Sequence, residues 1–185
     1  MILTPTGLAG ATVVDLERRE DERGFFARTF CRAEFVEAGL VPVVEQANLS
    51  YNHRAGTLRG MHFQVEPATE AKLVRCTAGA VLDQIVDLRQ DSPTYLQSFA
   101  VELTAGNRTA LYVPPMFAHG YLTLTTDAEV VYQVSEAYQP GTERGLRHDD
   151  PALGLDWPVR VAVISDKDAS WPLVGWGSPV DGPQA

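Results

Sequence analysis

The strongest constraint on the fold is a series of short β-type runs between residues 58 and 135, separated by turn signals at regular spacing. The turn signals contain Gly, Pro, Asn or Asp and fall at 77–80, 90–93, 104–107, 114–115 and 126–127. Helical periodicity is almost absent here, and strands at such spacing are typical of antiparallel sandwiches and barrels. The sequence therefore predicts a mainly β protein, most simply a jelly-roll β-sandwich or barrel.

Outside this region the sequence predicts only a few short helices. The clearest is an amphipathic segment over 33–38, followed by a glycine that can end it. Residues 41–50 return to a strand pattern in which three polar side chains share one face: Gln46, Asn48 and Ser50. Such a face indicates either a solvent-exposed surface or a wet cavity.

Chain length and charge limit the organisation and the partners. The 185 residues fit one domain, which we place at 1–176 with a loose tail at 177–185. The net charge of -9 argues against a nucleic-acid surface or a polybasic membrane patch. No apolar run approaches the roughly 18 residues of a membrane span, and the N-terminus lacks a signal-peptide pattern, so we expect a cytoplasmic protein. An anionic ligand would need a local basic pocket.

Ionisable side chains interrupt two segments that otherwise resemble buried strands, 59–64 and 71–76. Burying such groups costs free energy unless they are paired or used. Strand alternation places Arg59 and His62 on opposite faces, so both can face one cavity only if the strand bulges, as Gly60 permits. We interpret these segments as parts of a functional site.

Two aspartates, Asp83 and Asp87, share one face of the segment 81–87, and apolar residues take the other. The simpler interpretation is that the aspartate face is exposed to solvent. The alternative is that a hairpin turn at Gly79 brings a carboxylate next to Lys72 and holds its amine in place.

The histidines His62 and His119 lie within apolar β segments, where a structural and a functional role are equally consistent with the pattern. Two histidines in a β-barrel also suggest a metal site. However, the His-x-His pair followed by Glu that metal-dependent cupins use is absent, because residue 64 is Gln, and Met116 replaces the usual glycine of the second cupin motif. We therefore expect no metal, and keep a three-ligand site of both histidines and one Asp as the alternative.

Several segments together resemble the dTDP-4-dehydrorhamnose 3,5-epimerase family of cofactor-independent sugar-nucleotide epimerases. Each match is short, but they occur in order over about residues 20–170. They are Asp21–Phe26, Leu58–Gln64, Lys72–Cys76, Asp87–Arg89, Ser92–Thr94, Phe117–Gly120, Val131–Tyr132, Asp149–Pro158 and Ser165–Asp168. The resemblance implies a cupin-type jelly roll, a homodimer and no cofactor.

The resemblance also implies catalytic roles. An epimerase acting beside a ketone needs a base on one face of the sugar ring, an acid on the other and positive charge at the enolate oxygen. By the resemblance, His62 is the base, Asp168 orients it and Tyr132 returns a proton to the opposite face. Lys72 stabilises the enolate, and two further residues line the pocket: Asp83 and His119. From the residues alone, Tyr132 would be a packing residue and Asp168 a helix cap.

Substrate binding is implied for the remaining positions. Arg23 and Arg59 are expected to bind the diphosphate, for which the planar guanidinium is suited. The nucleotide and its base are expected to contact Phe26, Gln46, Asn48 and Tyr138. The expected substrate is a dTDP-4-keto-6-deoxy sugar, of the dTDP-4-dehydro-6-deoxyglucose type.

Two departures from the family pattern bear on the substrate. Arg28 replaces a common Glu, and Ala47 replaces a common Asp near the expected nucleotide end. A 3-only epimerase of a specialised deoxysugar pathway is therefore the first alternative. A metal-binding cupin and a non-catalytic nucleotide-sugar binder are the others.

Overall fold

The computed structural model describes residues 1–175, and the tail expected at 177–185 lies outside them. The described chain contains thirteen strands and few helical residues. The strands are β1 (Ile2–Pro5), β2 (Thr12–Asp15), β3 (Arg19–Asp21), β4 (Gly24–Phe26), β5 (Gln46–Asn52), β6 (Leu58–Gln64), β7 (Lys72–Ala78), β8 (Ala80–Asp87), β9 (Ser98–Thr104), β10 (Ala110–Val113), β11 (Phe117–Thr123), β12 (Ala128–Val134) and β13 (Glu143–Gly145). The helices are α1 (Arg32–Glu37), α2 (Asp166–Ala169) and a single 3-10 turn at Pro151–Leu153.

The strands form two main antiparallel sheets. One has six strands in the order β1-β2-β10-β7-β12-β5, and the other has five in the order β13-β6-β11-β8-β9. Strands β3 and β4 form a separate hairpin. The prediction of a mainly β, cupin-type jelly roll is confirmed. None of the helices within residues 1–175 is long and apolar enough to cross a membrane.

The main core lies between the two sheets. Alternate residues of each strand point inward, so Val74 and Val130 of the six-stranded sheet meet Ile85, Leu103 and Phe117 of the five-stranded sheet. All five are at most 2% exposed. Because both inner faces are filled at the centre, a cavity can form only where polar residues replace apolar ones toward the ends of the strands.

Helix α1 covers part of the outer face of the six-stranded sheet. Its one buried residue, Phe35, packs against Leu73 and Tyr112. Gly39 follows the helix with φ of 71°, and the amide of Leu40 donates to the carbonyl of Phe35 at 2.9 Å. Glycine adopts this left-handed conformation without steric cost. The predicted helix over 33–38 is therefore confirmed, displaced by one residue.

The prediction of a hairpin at Gly79 is wrong. Gly79 makes a tight turn with φ of 70°, but β7 before it belongs to the six-stranded sheet and β8 after it to the five-stranded sheet. The turn therefore carries the chain from one sheet to the other. A glycine with positive φ allows either path, so the sequence signal for a turn does not distinguish a hairpin from a crossing.

Asp87, at the end of β8, is completely buried. Its carboxylate accepts hydrogen bonds from three side chains: Arg89 at 2.7 and 2.8 Å, Ser92 at 2.5 Å and Thr94 at 2.7 Å. Burial alone would raise the pKa of Asp87, but these donors outweigh it and lower the pKa to about 2. The expectation of a solvent-exposed aspartate face is wrong, because each carboxylate on it has buried partners.

The lowered pKa predicts how stability depends on pH. The stabilisation from ionised Asp87 is complete above its ordinary pKa and is lost as the pH falls from about 4 to about 2. We expect Asp87→Asn to lower the free energy of unfolding at pH 7 by about 2 kcal/mol. Urea unfolding at pH 7 and pH 3 would measure this, with the exposed Asp91→Asn as the control. An equal loss of the free energy of unfolding in Asp87→Asn and Asp91→Asn would contradict the prediction.

Candidate active site

The site forms where β6 and β11 run side by side. His62 and His119 are directly opposite in this register, and Arg59 is opposite Tyr121. Two residues of β6, Gly60 and Met61, therefore lie opposite the single Gly120 of β11. Gly60 lies within this bulge with φ of 133°, in a region that side chains rarely allow. The predicted bulge is confirmed, and it turns both Arg59 and His62 toward one cavity.

His62 is bonded to a carboxylate from the distant C-terminal part of the chain. Its Nε2 lies 2.8 Å from Oδ1 of Asp168, and the other oxygen of Asp168 accepts from the amide of Gly60 at 3.2 Å. Ser165 caps α2, and its hydroxyl accepts from the amide of Asp168 at 3.0 Å. Although burial opposes ionisation, the hydrogen bonds with His62 and with the amide of Gly60 lower the pKa of Asp168. The carboxylate is therefore ionised and fixed in orientation.

A cavity of about 360 Å³ opens beside this pair. Six of the predicted site residues line it: Arg59, His62, Lys72, His119, Tyr132 and Asp168. An adjoining cavity of about 140 Å³ shares His62, Lys72 and Tyr132 and adds three predicted nucleotide-binding residues: Gln46, Asn48 and Tyr138. The polar face of β5 is thus a wet cavity wall, the second of the two interpretations of its pattern.

Lys72 and Asp83 do not pair with each other. The amine of Lys72 donates to Glu70, whereas Asp83 lies behind the cavity and meets Nε2 of His119 at 2.9 and 3.0 Å. Complete burial raises the pKa of Asp83, and His119 opposes this rise. The alternative of an Asp83–Lys72 contact is wrong, because the crossing at Gly79 puts the two residues on different sheets.

Tyr132 belongs to β12, in the sheet opposite His62. Its ring packs against the main core and its side chain lines both cavities. Burial, followed by the neighbouring Tyr121 and Glu70, raises the pKa of the Tyr132 hydroxyl. The hydroxyl therefore holds its proton at neutral pH and is a potential proton donor on the wall opposite His62.

Two predicted substrate ligands lie elsewhere. Arg23 and Phe26 belong to the β3–β4 hairpin and line neither cavity. The side chain of Arg23 is 86% exposed and pairs with Asp21 at 2.5 Å, and Phe26 is 68% exposed. Within the single chain the structure does not bring them to the site.

The two departures from the family pattern also lie away from the cavities. Arg28 pairs with Glu34 at 3.0 Å, close to α1. Ala47 is exposed on β5, one residue out of phase with the cavity-facing Gln46 and Asn48. Neither replacement changes the wall of the cavities.

Sequence reasoning gave no role to several polar residues at the cavities: Ser50, Glu70, Tyr121, Glu143 and Lys167. Two had a usable signal. Ser50 shares the polar face of β5, and Lys167 is one of only two lysines in the chain. Nothing in the local pattern of Glu70, Tyr121 or Glu143 distinguishes them from ordinary strand or loop residues.

The part of the chain that the structure describes contains no ligand set for the alternative metal site. The two histidines use their Nε2 atoms for separate carboxylates, Asp168 for His62 and Asp83 for His119. Among residues 1–175, no group of three His, Cys, Asp or Glu side chains is arranged to hold a metal ion.

A sequence model of the family described as dTDP-4-dehydrorhamnose 3,5-epimerase matches residues 5–175. The chain belongs to this family. The dTDP-4-dehydrorhamnose 3,5-epimerase of Sinorhizobium fredii is 44% identical over 82% of this chain and 78% of its own length. Another, from Methanothermobacter thermautotrophicus, is 42% identical over 90% of both chains. The chain is thus related over most of its length to enzymes that are epimerases.

Solved structures of the epimerase family have the same fold. The enzyme from Elizabethkingia anophelis superimposes with a TM-score of 0.91 at 35% identity, covering 94% of this chain and 96% of its own. The enzyme from Bacillus anthracis, with TDP and PPi bound, gives 0.89 at 38% identity, covering 94% and 99%. The enzyme from Legionella pneumophila, in complex with dTDP-4-keto-L-rhamnose, gives 0.86 at 34% identity, covering 93% and 92%.

Proposed function

We propose that this protein inverts carbons 3 and 5 of dTDP-4-keto-6-deoxyglucose, producing dTDP-4-dehydrorhamnose. The observation that carries the proposal is the placement of a base and an acid on opposite walls of one cavity. The His62–Asp168 pair lies on the five-stranded side, and Tyr132 lies on the six-stranded side. Inversion needs proton removal from one face of the ring and return to the other, and this arrangement supplies both.

His62 acts as the base through its remaining ring nitrogen. An ionised carboxylate only accepts hydrogen bonds, so Asp168 fixes the proton of the neutral imidazole on Nε2. The lone pair is then on Nδ1. When Nδ1 takes a proton from a carbon next to the ketone, the negative charge of Asp168 stabilises the imidazolium that forms.

Removing the proton transfers negative charge to the ketone oxygen. Lys72, in the same cavity, supplies the positive charge that stabilises this enolate. Tyr132, which keeps its proton because burial raises the pKa of its hydroxyl, donates to the opposite face. His119 and the buried Asp83 complete the wall behind the ring. The chemistry needs only groups that the chain itself supplies.

The nucleotide is proposed to extend into the adjoining cavity. In this proposal Arg59 binds the diphosphate, and three residues that line the second cavity contact the nucleoside: Gln46, Asn48 and Tyr138. Support comes from the similar Bacillus anthracis enzyme, which was solved with TDP and PPi bound.

A homodimer is proposed to complete the site. Arg23 and Phe26 lie on an exposed hairpin away from their own cavity, and apolar Leu49 and Tyr51 are exposed on the edge strand β5. A second copy would cover these side chains and could receive Arg23 and Phe26 at its substrate. We place this dimer in the cytoplasm. Analytical ultracentrifugation would test it, and a monomer at micromolar concentration would contradict it.

The test of the function is proton NMR of dTDP-4-keto-6-deoxyglucose with the protein in deuterated water. We expect the signals of the protons on carbons 3 and 5 to disappear by exchange, together with formation of the inverted sugar. Exchange at carbon 3 alone would instead identify a 3-epimerase, the activity in the name of a Streptomyces niveus relative that is 38% identical. Absence of exchange at both carbons would overturn the proposal.

A further inference from the structure

Among residues 1–175, three lysine or arginine side chains line the cavity, and they differ in how their charge is balanced. Lys72 donates to Glu70, and Lys167 donates to Glu143 at 2.5 Å. Arg59 instead donates from Nε to the side-chain oxygen of Asn52, a neutral group, at 2.8 Å. Within residues 1–175 this is the one hydrogen bond of the Arg59 guanidinium, and it forms no ion pair there. Arg59 is thus the cavity cation with uncompensated charge.

Asn52 is held so that its oxygen must face Arg59. The residue is 2% exposed at the end of β5. Its amide nitrogen donates to the carbonyl of Ala128 at 3.1 Å and lies 3.3 Å from the hydroxyl of Tyr121, which itself donates to Ser50 at 2.8 Å. A rotated amide would place its NH₂ group against the guanidinium, which is also a donor, so the orientation is fixed.

We propose that Asn52 is a positioning residue that prepares Arg59 for a diphosphate. It satisfies Nε and leaves both terminal nitrogens of the guanidinium, with their full charge, for the ligand. Two parallel N–H groups match two phosphate oxygens, which is the geometry in which Arg binds phosphate most strongly. This inference rests on the proposed function, because it assumes a substrate that carries a diphosphate.

The neutrality of Asn52 is the decisive property. A carboxylate at the same place would also accept from Nε, but it would cancel the charge of Arg59 and repel the phosphates. The protein has a net charge of -9, so its own field opposes an anionic substrate. The other two cations are already paired with carboxylates. A neutral partner for Arg59 therefore keeps its positive charge available to the substrate.

The experiment compares TDP with thymidine as ligands of Asn52→Asp, using isothermal titration calorimetry. The substitution keeps the size of the side chain and adds one negative charge. We expect TDP to bind roughly tenfold to a hundredfold more weakly than to the unmodified protein, and added salt to reduce the difference. Binding of thymidine, which lacks phosphates, should change less than about twofold. Asn107→Asp, in an exposed turn, controls for the net charge of the protein.

Four outcomes would count against the inference. Equal affinity of TDP for Asn52→Asp and the unmodified protein would overturn it, and so would equal weakening of TDP and thymidine, which indicates a deformed pocket. If Asn52→Asp does not fold, Tyr121→Phe is tested instead, because it removes the hydroxyl beside the amide of Asn52. It should weaken the binding of TDP alone, by about threefold. No effect of Tyr121→Phe on TDP binding would overturn the inference. An unmodified protein that bound no TDP would overturn the proposed function as well, so the two failures are distinguishable.

Discussion

Replacing His62 by alanine is expected to lower kcat for epimerisation by about 1,000-fold, because the imidazole is the group that removes the proton from carbon. A substitution of its partner, Asp168, tests how the loss arises. Asp168 fixes the proton on Nε2, so Asp168→Asn should also reduce kcat, by about 100-fold, by allowing the other tautomer. Both variants should retain binding of TDP, since neither side chain is assigned to the phosphates or the nucleoside.

The measurement is the rate of product formation by NMR, together with the rate of deuterium incorporation at carbons 3 and 5. In His62→Ala both rates should fall together, because no proton is removed. The control is His53→Ala, an exposed loop histidine whose ring packs edge-on against that of Tyr51 and which lines neither cavity. Unchanged activity in His62→Ala would contradict the assignment of His62 as the base.

The second prediction separates the two proton transfers. Tyr132→Phe should lower formation of the inverted sugar by about 100-fold while deuterium exchange falls much less. The reason is that His62 can still remove the proton and return a deuteron to the same face, which exchanges the hydrogen without inverting the carbon. The phenyl ring preserves the packing of Tyr132 against the main core.

The comparison of the two rates makes this test specific to the acid. Tyr95→Phe, between β8 and β9, serves as the control, because Tyr95 lines neither cavity. If exchange and inversion fell in equal proportion in Tyr132→Phe, the hydroxyl would not be the donor for the opposite face. In that case another protonated group of the cavity would have to supply the proton.

Much of the fold followed from local sequence patterns. Short alternating segments with turn residues between them predicted strands, because the side-chain period of a strand is two and is visible without any tertiary contact. The short helix, the serine cap before Asp168 and the bulge at Gly60 were also local effects. The polar face of β5 was visible too, but the choice between solvent and cavity was not.

The pairings within the site depended on the tertiary structure. Asp168 reaches His62 across 106 positions of the sequence, and Asp83 reaches His119 across 36. The sequence offered a carboxylate of the segment 81–87 as the partner of Lys72 only as the alternative to a solvent-exposed face. In the structure the crossing at Gly79 separates Asp83 from Lys72 and leaves Glu70 beside the amine. A turn residue specifies a local backbone conformation and not the sheet that the next strand joins.

The sequence by itself therefore determined which strands form, which faces are polar and, through an ordered set of short motifs, the family. Only the tertiary structure decided which charges compensate each other. Asn52 illustrates the difference, since nothing in its local sequence relates it to Arg59. The physical reason is that strand formation depends on a periodicity of a few residues, whereas the electrostatics of a cavity depend on distances between residues that the chain brings together from different sheets.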